Sequence, residues 1–160
     1  MYYNSMVRFR NGDIMRSFNS TSVENTIELG KKIGSILNAG DVLLLTGDLG
    51  AGKTHIAKGI GMALGVKKII NSPTFTIVKE YYGNIPFYHL DLYRLDGLNN
   101  DFDLEEYIES DGVCVIEWPH QIDEIIPKEY LNIKITRISD NERKIEIEGI
   151  GRYKKYEELI

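Results

Sequence analysis

The chain has 160 residues, 42% of them hydrophobic, enough for one packed domain and too apolar for a disordered one. Its net charge of −5 excludes a large basic surface that grips nucleic acid unaided. One cysteine, Cys114, excludes an intramolecular disulfide. With no membrane-length apolar run and no signal peptide opening the chain, a cytoplasmic enzyme that engages neither membrane nor DNA is expected.

Residues 7–10 and 14–18 alternate around Asn11-Gly12, which reads either as a hairpin with a type I′ turn or as a loose extension. Asn19-Ser20-Thr21-Ser22 is a run of helix-capping residues. Ile27, Leu29, Gly30, Ile33, Ile36 and Leu37 then give a helical face that stops at Gly40. Asp41 to Thr46 is a short apolar run of the kind that forms a buried parallel strand. After it come Gly47-Asp48-Leu49-Gly50-Ala51-Gly52-Lys53-Thr54 and a second helical pattern over residues 55–64.

Strand, glycine loop and helix in that order make a phosphate-binding P-loop. Glycines let the backbone turn sharply and aim several N–H groups at phosphate oxygens, and the helix adds its positive end. Lys53 has the length to reach the β- and γ-phosphates of a triphosphate, and the Thr54 hydroxyl suits Mg²⁺. Residues 47–54 are therefore the expected nucleotide-binding loop.

Downstream, residues 76–82 and 85–92 are predicted as two strands around Gly83-Asn84, and residues 101–110 as an acidic helix. Val113-Cys114-Val115-Ile116 is a second buried strand ending at Glu117-Trp118-Pro119. A short helix is expected over residues 120–126, stopped by Pro127. A closing antiparallel pair is expected over residues 131–138 and 144–150. Residues 1–12 and the charged tail 151–160 read as additions to a single α/β domain, a central, mostly parallel sheet with antiparallel strands and flanking helices.

A P-loop alone binds nucleotide; hydrolysis needs a second hold on Mg²⁺ and a group that orients water. Glu117, an acid at the carboxyl end of an apolar strand, is the candidate metal ligand beside Thr54. Asp91 sits in His89-Leu90-Asp91-Leu92-Tyr93, where His89, Asp91 and Tyr93 share one strand face. Such a face is either solvated or part of a site, and periodicity does not choose; His89 is at most a hydrogen-bond partner. Thr74 in Ser72-Pro73-Thr74 is either part of a turn or a γ-phosphate sensor. Trp118, the one tryptophan, either packs in the core or covers the nucleotide. Arg94, Arg137 and Arg143 are each within conceivable reach of a triphosphate, and residues 20–26 are the expected neighbourhood of the adenine.

Four motifs occur in order: Gly-Asp-Leu-Gly-Ala-Gly-Lys-Thr at 47–54, Ser-Pro-Thr-Phe-Thr at 72–76, His-Leu-Asp-Leu-Tyr-Arg-Leu at 89–95 and Glu-Trp-Pro at 117–119. Together they resemble the bacterial TsaE (YjeE) family of P-loop ATPases, over about residues 20–150. The resemblance implies slow, Mg²⁺-dependent ATP hydrolysis in tRNA threonylcarbamoyladenosine biosynthesis. It implies action with the partners TsaB and TsaD, with tRNA met through that complex. Carried onto this chain, it makes Lys53 and Thr54 ligands of phosphate and Mg²⁺, and Glu117 a metal ligand. It also makes Asp91 the residue needed for hydrolysis, Thr74 part of a switch-like loop, and Trp118 a neighbour of the nucleotide. His55, Phe75 and His120 depart from the usual family residues without removing a phosphate or metal ligand. The alternatives, a GTP-dependent switch or a small-molecule kinase, lack support. Asn132-Ile133-Lys134-Ile135 is no Asn-Lys-x-Asp guanine loop, and no arginine-rich lid is evident.

Overall fold

A strand with apolar residues on both faces needs cover on both sides and partners on both edges. The run after Asp41 meets all four demands: strand β3 (Val42–Thr46) is buried along its first four residues, between two neighbours, in the middle of the sheet. The computed structural model describes residues 6–10, 13–72, 76–95 and 103–160. Among them, eight strands form one sheet in the order β1-β2-β8-β7-β3-β6-β5-β4. These are β1 (Met6–Arg10), β2 (Asp13–Ser20), β4 (Val78–Tyr81), β5 (Phe87–Asp91), β6 (Val113–Glu117), β7 (Tyr130–Arg137) and β8 (Arg143–Ile150), besides β3.

The central four strands, β7-β3-β6-β5, run parallel, and every outer pairing is antiparallel. Of the two readings of the N-terminus, hairpin or loose extension, the hairpin is the one present, with Arg10 opposite Asp13; its turn residues, Asn11 and Gly12, lie outside the described residues. The expected closing pair is also present, and β7 is in addition the parallel neighbour of β3.

Alternation along the strands divides the core. Leu43, Leu45, Val113, Val115, Phe87, Ile133 and Ile135 face one side, with α1 (Val23–Ile36) and α2 (Lys53–Ala63). Val42, Leu44, Cys114, Ile116 and Leu90 face the other, under α3 (Leu104–Ile108) and Ile122. Ser22 caps α1, its hydroxyl accepting from the Asn25 N–H at 3.1 Å. α1 and α2 cross closely: a Cβ on Gly59 would overlap the Ile27 carbonyl, so that helix position requires glycine. Burial pushes the Cys114 thiol up to about 12.

Three expectations change length or form. The acidic helix covers only Leu104–Ile108 among the described residues. The segment after Glu117 is a 3-10 turn, Pro119–Ile122, and not a helix to residue 126. The strand that carries His89 and Asp91 ends at Asp91, so Tyr93 lies in the following turn and not on the strand face.

The tail packs as part of the core. A 3-10 turn (Gly151–Tyr153) leads into α4 (Lys154–Glu157), and Tyr153, Tyr156 and Ile160 are buried against the α1/α2 side. The Tyr153 hydroxyl accepts from the Val42 N–H at 2.9 Å, and the Tyr156 hydroxyl donates to Asp41 at 2.8 Å. Among the described residues no helix is long and apolar enough to cross a membrane.

Candidate functional site

The loop after β3 is shaped by glycine. Gly47, Gly50 and Gly52 hold φ of 146°, 76° and 108°, a region that L side chains rarely adopt. A Cβ on Gly47 would also overlap the Ile135 carbonyl on β7. Gly52 leads into α2 in a left-handed conformation with no capping side chain, so the first amides of α2 keep their donors for a ligand.

Lys53, the first residue of α2, is 6% exposed. Its Nζ donates to the carbonyls of Gly47 at 2.7 Å and Asp48 at 2.9 Å. It also lies 4.7 Å from the centre of the Trp118 ring. Burial lowers the Lys53 pKa, opposed by the carboxylates of Glu117, Asp91 and Asp48. Trp118 sits at φ 57°, unusual for a bulky residue, where the chain leaves β6 for Pro119. That turn brings its ring over the lysine, with Tyr93 at 4.9 Å and His120 at 5.9 Å between ring centres.

A cavity of about 430 Å³ opens over the loop. Its walls are residues 49–55, Ser72, Asp91, Tyr93, Arg94, Glu117 and Trp118. It lies at the carboxyl ends of β3, β5 and β6, where open α/β sheets collect ligands. Asp91 and Glu117 reach it because β5 and β6 pair in parallel with these two residues in register. Both carboxylates therefore stand side by side, on the sheet face that α2 covers.

Each carboxylate has its own fixtures. Asp91 accepts from the Ser72 hydroxyl at 3.2 Å and from the Tyr93 N–H at 3.1 Å. Glu117, 3% exposed, shares a 2.9 Å hydrogen bond between Oε1 and His89 Nε2. With Thr54, these groups give the cavity an all-oxygen donor set on a phosphate-type cradle, which fits a hard cation such as Mg²⁺ beside a nucleotide.

The predicted residues from Leu49 to Thr54, with Asp91, Glu117 and Trp118, thus line one cavity. Gly47 and Asp48 are not among its walls; their carbonyls accept from Lys53. Thr74 lies outside the described residues. Of the three arginines, Arg94 lines the cavity and Arg137 pairs with Asp140 in its own turn. Arg143 bonds the loop backbone, Nε donating to the Ala51 carbonyl at 2.8 Å. Ser72 and His55 line the cavity without a role read from sequence, since nothing local marks a serine as facing a carboxylate 19 positions on. Tyr93, read on one strand face with Asp91, lines it from the turn after β5 instead. A second cavity of about 410 Å³, bounded by residues 19–21, Asn25 and Arg143, lies beside residues 20–26.

Comparison with known proteins gives one consistent answer. The family model described as "Threonylcarbamoyl adenosine biosynthesis protein TsaE" matches residues 20–145. The tRNA threonylcarbamoyladenosine biosynthesis protein TsaE of Bacillus subtilis (strain 168) is 47% identical over 137 residues, 85% of each chain. The protein of that name from Treponema pallidum (strain Nichols) is 38% identical over 80% of this chain and 96% of its own. The crystal structure of Bacillus subtilis YdiB superposes with a TM-score of 0.79 at 38% identity, over 96% of this chain and 95% of that one.

Proposed function

The chain belongs to the TsaE family, and we propose that it is the Mg²⁺-dependent ATPase subunit of tRNA threonylcarbamoyladenosine biosynthesis, working with TsaB and TsaD. One observation carries the ATPase reading: the P-loop lysine, the Thr54 hydroxyl and two in-register carboxylates converge on one cavity.

On this reading the loop amides and the first turn of α2 bind the phosphates. Lys53 exchanges the Gly47 and Asp48 carbonyls for phosphate oxygens, trading neutral acceptors for charged ones. Thr54 and Glu117 hold Mg²⁺, which when bound neutralises charge on the phosphate oxygens. Asp91, with both oxygens already fixed by Ser72 and Tyr93, orients the attacking water. Thr74, outside the described residues, is assigned to the same task only by its place in the Ser72-Pro73-Thr74 motif. Trp118 shields the lysine and the phosphates from bulk water. The cavity beside residues 20–26 takes the adenine, with Arg143 tying its wall to the loop. Turnover changes the affinity of the subunit for TsaB and TsaD.

The test is ATP hydrolysis by the purified chain, alone and with TsaB and TsaD, with Lys53→Ala as control. Slow turnover that the partners alter and the variant loses supports the proposal. Turnover indifferent to the partners removes the assignment to that complex; GTP preference or phosphoryl transfer to a small molecule removes the ATPase reading.

A further inference from the structure

His89 is fully buried, one pleat below Asp91 on β5, and its ring lies 6.2 Å from that of Phe87 in a near-parallel stack. It does not line the cavity, yet its Nε2 is 2.9 Å from Glu117 Oε1. Its other ring nitrogen, Nδ1, is buried with no hydrogen-bond partner among the described residues. A proton on Nδ1 would bury an unpaired donor and forfeit the bond to the carboxylate. The ring's proton therefore belongs on Nε2, donated to Glu117.

The geometry points to His89 as a positioning residue for the metal-binding carboxylate. A glutamate has three side-chain torsions, and a ligand oxygen must be held within a fraction of an ångström. The buried imidazole has no room to follow a moving partner. It takes up Oε1, and Oε2 is left to serve the cavity that Glu117 lines. This reverses the usual arrangement at metal sites, in which a carboxylate orients a histidine ligand. Here the histidine orients the carboxylate and never meets the ligand. The inference rests on the ATPase reading above.

Trp118, the one tryptophan, sits over Lys53 and supplies a fluorescence signal for nucleotide arrival. The experiment titrates an ATP analogue with a β–γ imido bridge into wild-type, His89→Leu, His89→Gln and His89→Asn proteins, in EDTA and across a Mg²⁺ series. ATP turnover is followed over the same series. Loss of the donor in His89→Leu is expected to raise the Mg²⁺ needed for half-maximal turnover, and for the Mg²⁺-dependent part of binding, by about 10- to 100-fold. Binding in EDTA stays as in the wild type. His89→Gln, whose amide N–H reaches the place of Nε2, recovers most of the response; His89→Asn, one bond shorter, does not. A His89→Leu protein with the wild-type Mg²⁺ response overturns the inference, as does a glutamine variant no better than the asparagine one. Should the leucine variant fail to fold, the glutamine–asparagine pair decides alone. A wild-type protein whose nucleotide binding ignores Mg²⁺ overturns the ATPase reading together with this one. A normal wild-type response left intact in the variants overturns only the role of His89.

Discussion

The two ends of β3 are built to opposite rules. At its start, buried polar groups are tied off: Asp41 accepts from the Tyr156 hydroxyl and the Asn38 N–H, both at 2.8 Å. There the Tyr153 hydroxyl accepts from the Val42 N–H and from Arg152, each at 2.9 Å. At its finish, three glycines hold positive φ, α2 opens without a side-chain cap, and a buried lysine is turned back on its own loop carbonyls. One end latches the strand to the tail, and the other leaves donors and charges available for a ligand. The lesson is a division of labour along one strand: polar groups are paired off at the end that meets the tail, and positive-φ glycines and open helix amides are kept at the end that carries the candidate site.

The sharpest way to break this contrast is Asp91→Asn. It removes the charge beside Glu117 and keeps the shape, so ATP binding should persist while turnover falls by about 10²–10⁴. Thermal melting should barely move. Single-turnover hydrolysis and a melt on the same sample check both halves. Wild-type turnover in this variant would remove Asp91 from the mechanism.

At the opposite end, Tyr153→Ala should cost about 3–5 kcal/mol, because it empties a buried aromatic site and orphans the Val42 N–H. Since each kcal/mol moves Tm by about 2–4 °C at this size, the drop is easily read by calorimetry. Tyr156→Phe is the milder cut. It deletes one donor to buried Asp41 and should cost about 1–3 kcal/mol, leaving nucleotide affinity of the folded protein intact. Weakened nucleotide binding in either tyrosine variant would show that the two ends communicate.

The smallest expected effect is alkaline. Burial raises the pKa of Tyr153 and of Tyr156, and pushes Cys114 from 9.0 up to about 12. The fold then keeps protons that the unfolded chain releases, so these groups lower stability as pH rises from about 9 towards 12. Denaturant midpoints at pH 7.5 and 10 should differ in that direction, and Cys114→Ala should reduce the difference. A midpoint that climbs with pH would contradict it.

The loop from Gly47 to Thr54 was legible because everything it needs is contiguous. Glycine torsions, strand-to-helix order and the lysine's reach are properties of one short stretch. Two of the central strands, β3 and β6, were legible for a similar reason, since an apolar run without alternation requires two covered faces. Nothing in the alternating runs of β5 and β7 showed that they also pair in parallel. The partnership of Asp91 with Glu117 was not, because 26 positions separate them and only sheet register brings them level. His89 illustrates the limit most sharply. The alternation placed it on the face of Asp91, yet nothing local revealed that its Nε2 meets Glu117 on the next strand. Tyr93 went the other way, extrapolated onto a strand that stops two residues earlier.

By itself, then, the sequence determined the glycine loop, its flanking strand and helix, and the motif set that marks the family. Each of these is encoded in local torsions or short spacing. Tertiary structure alone decided which polar groups stand beside one another. It ran β5 beside β6 in register, turned Trp118 over Lys53, hung Arg143 on the Ala51 carbonyl, and folded a charged tail back to anchor the start of β3. Those contacts join residues 26 to 115 positions apart or set a ring by one strained turn, and their energy comes from packing the sheet between two apolar layers, which no short stretch of chain encodes.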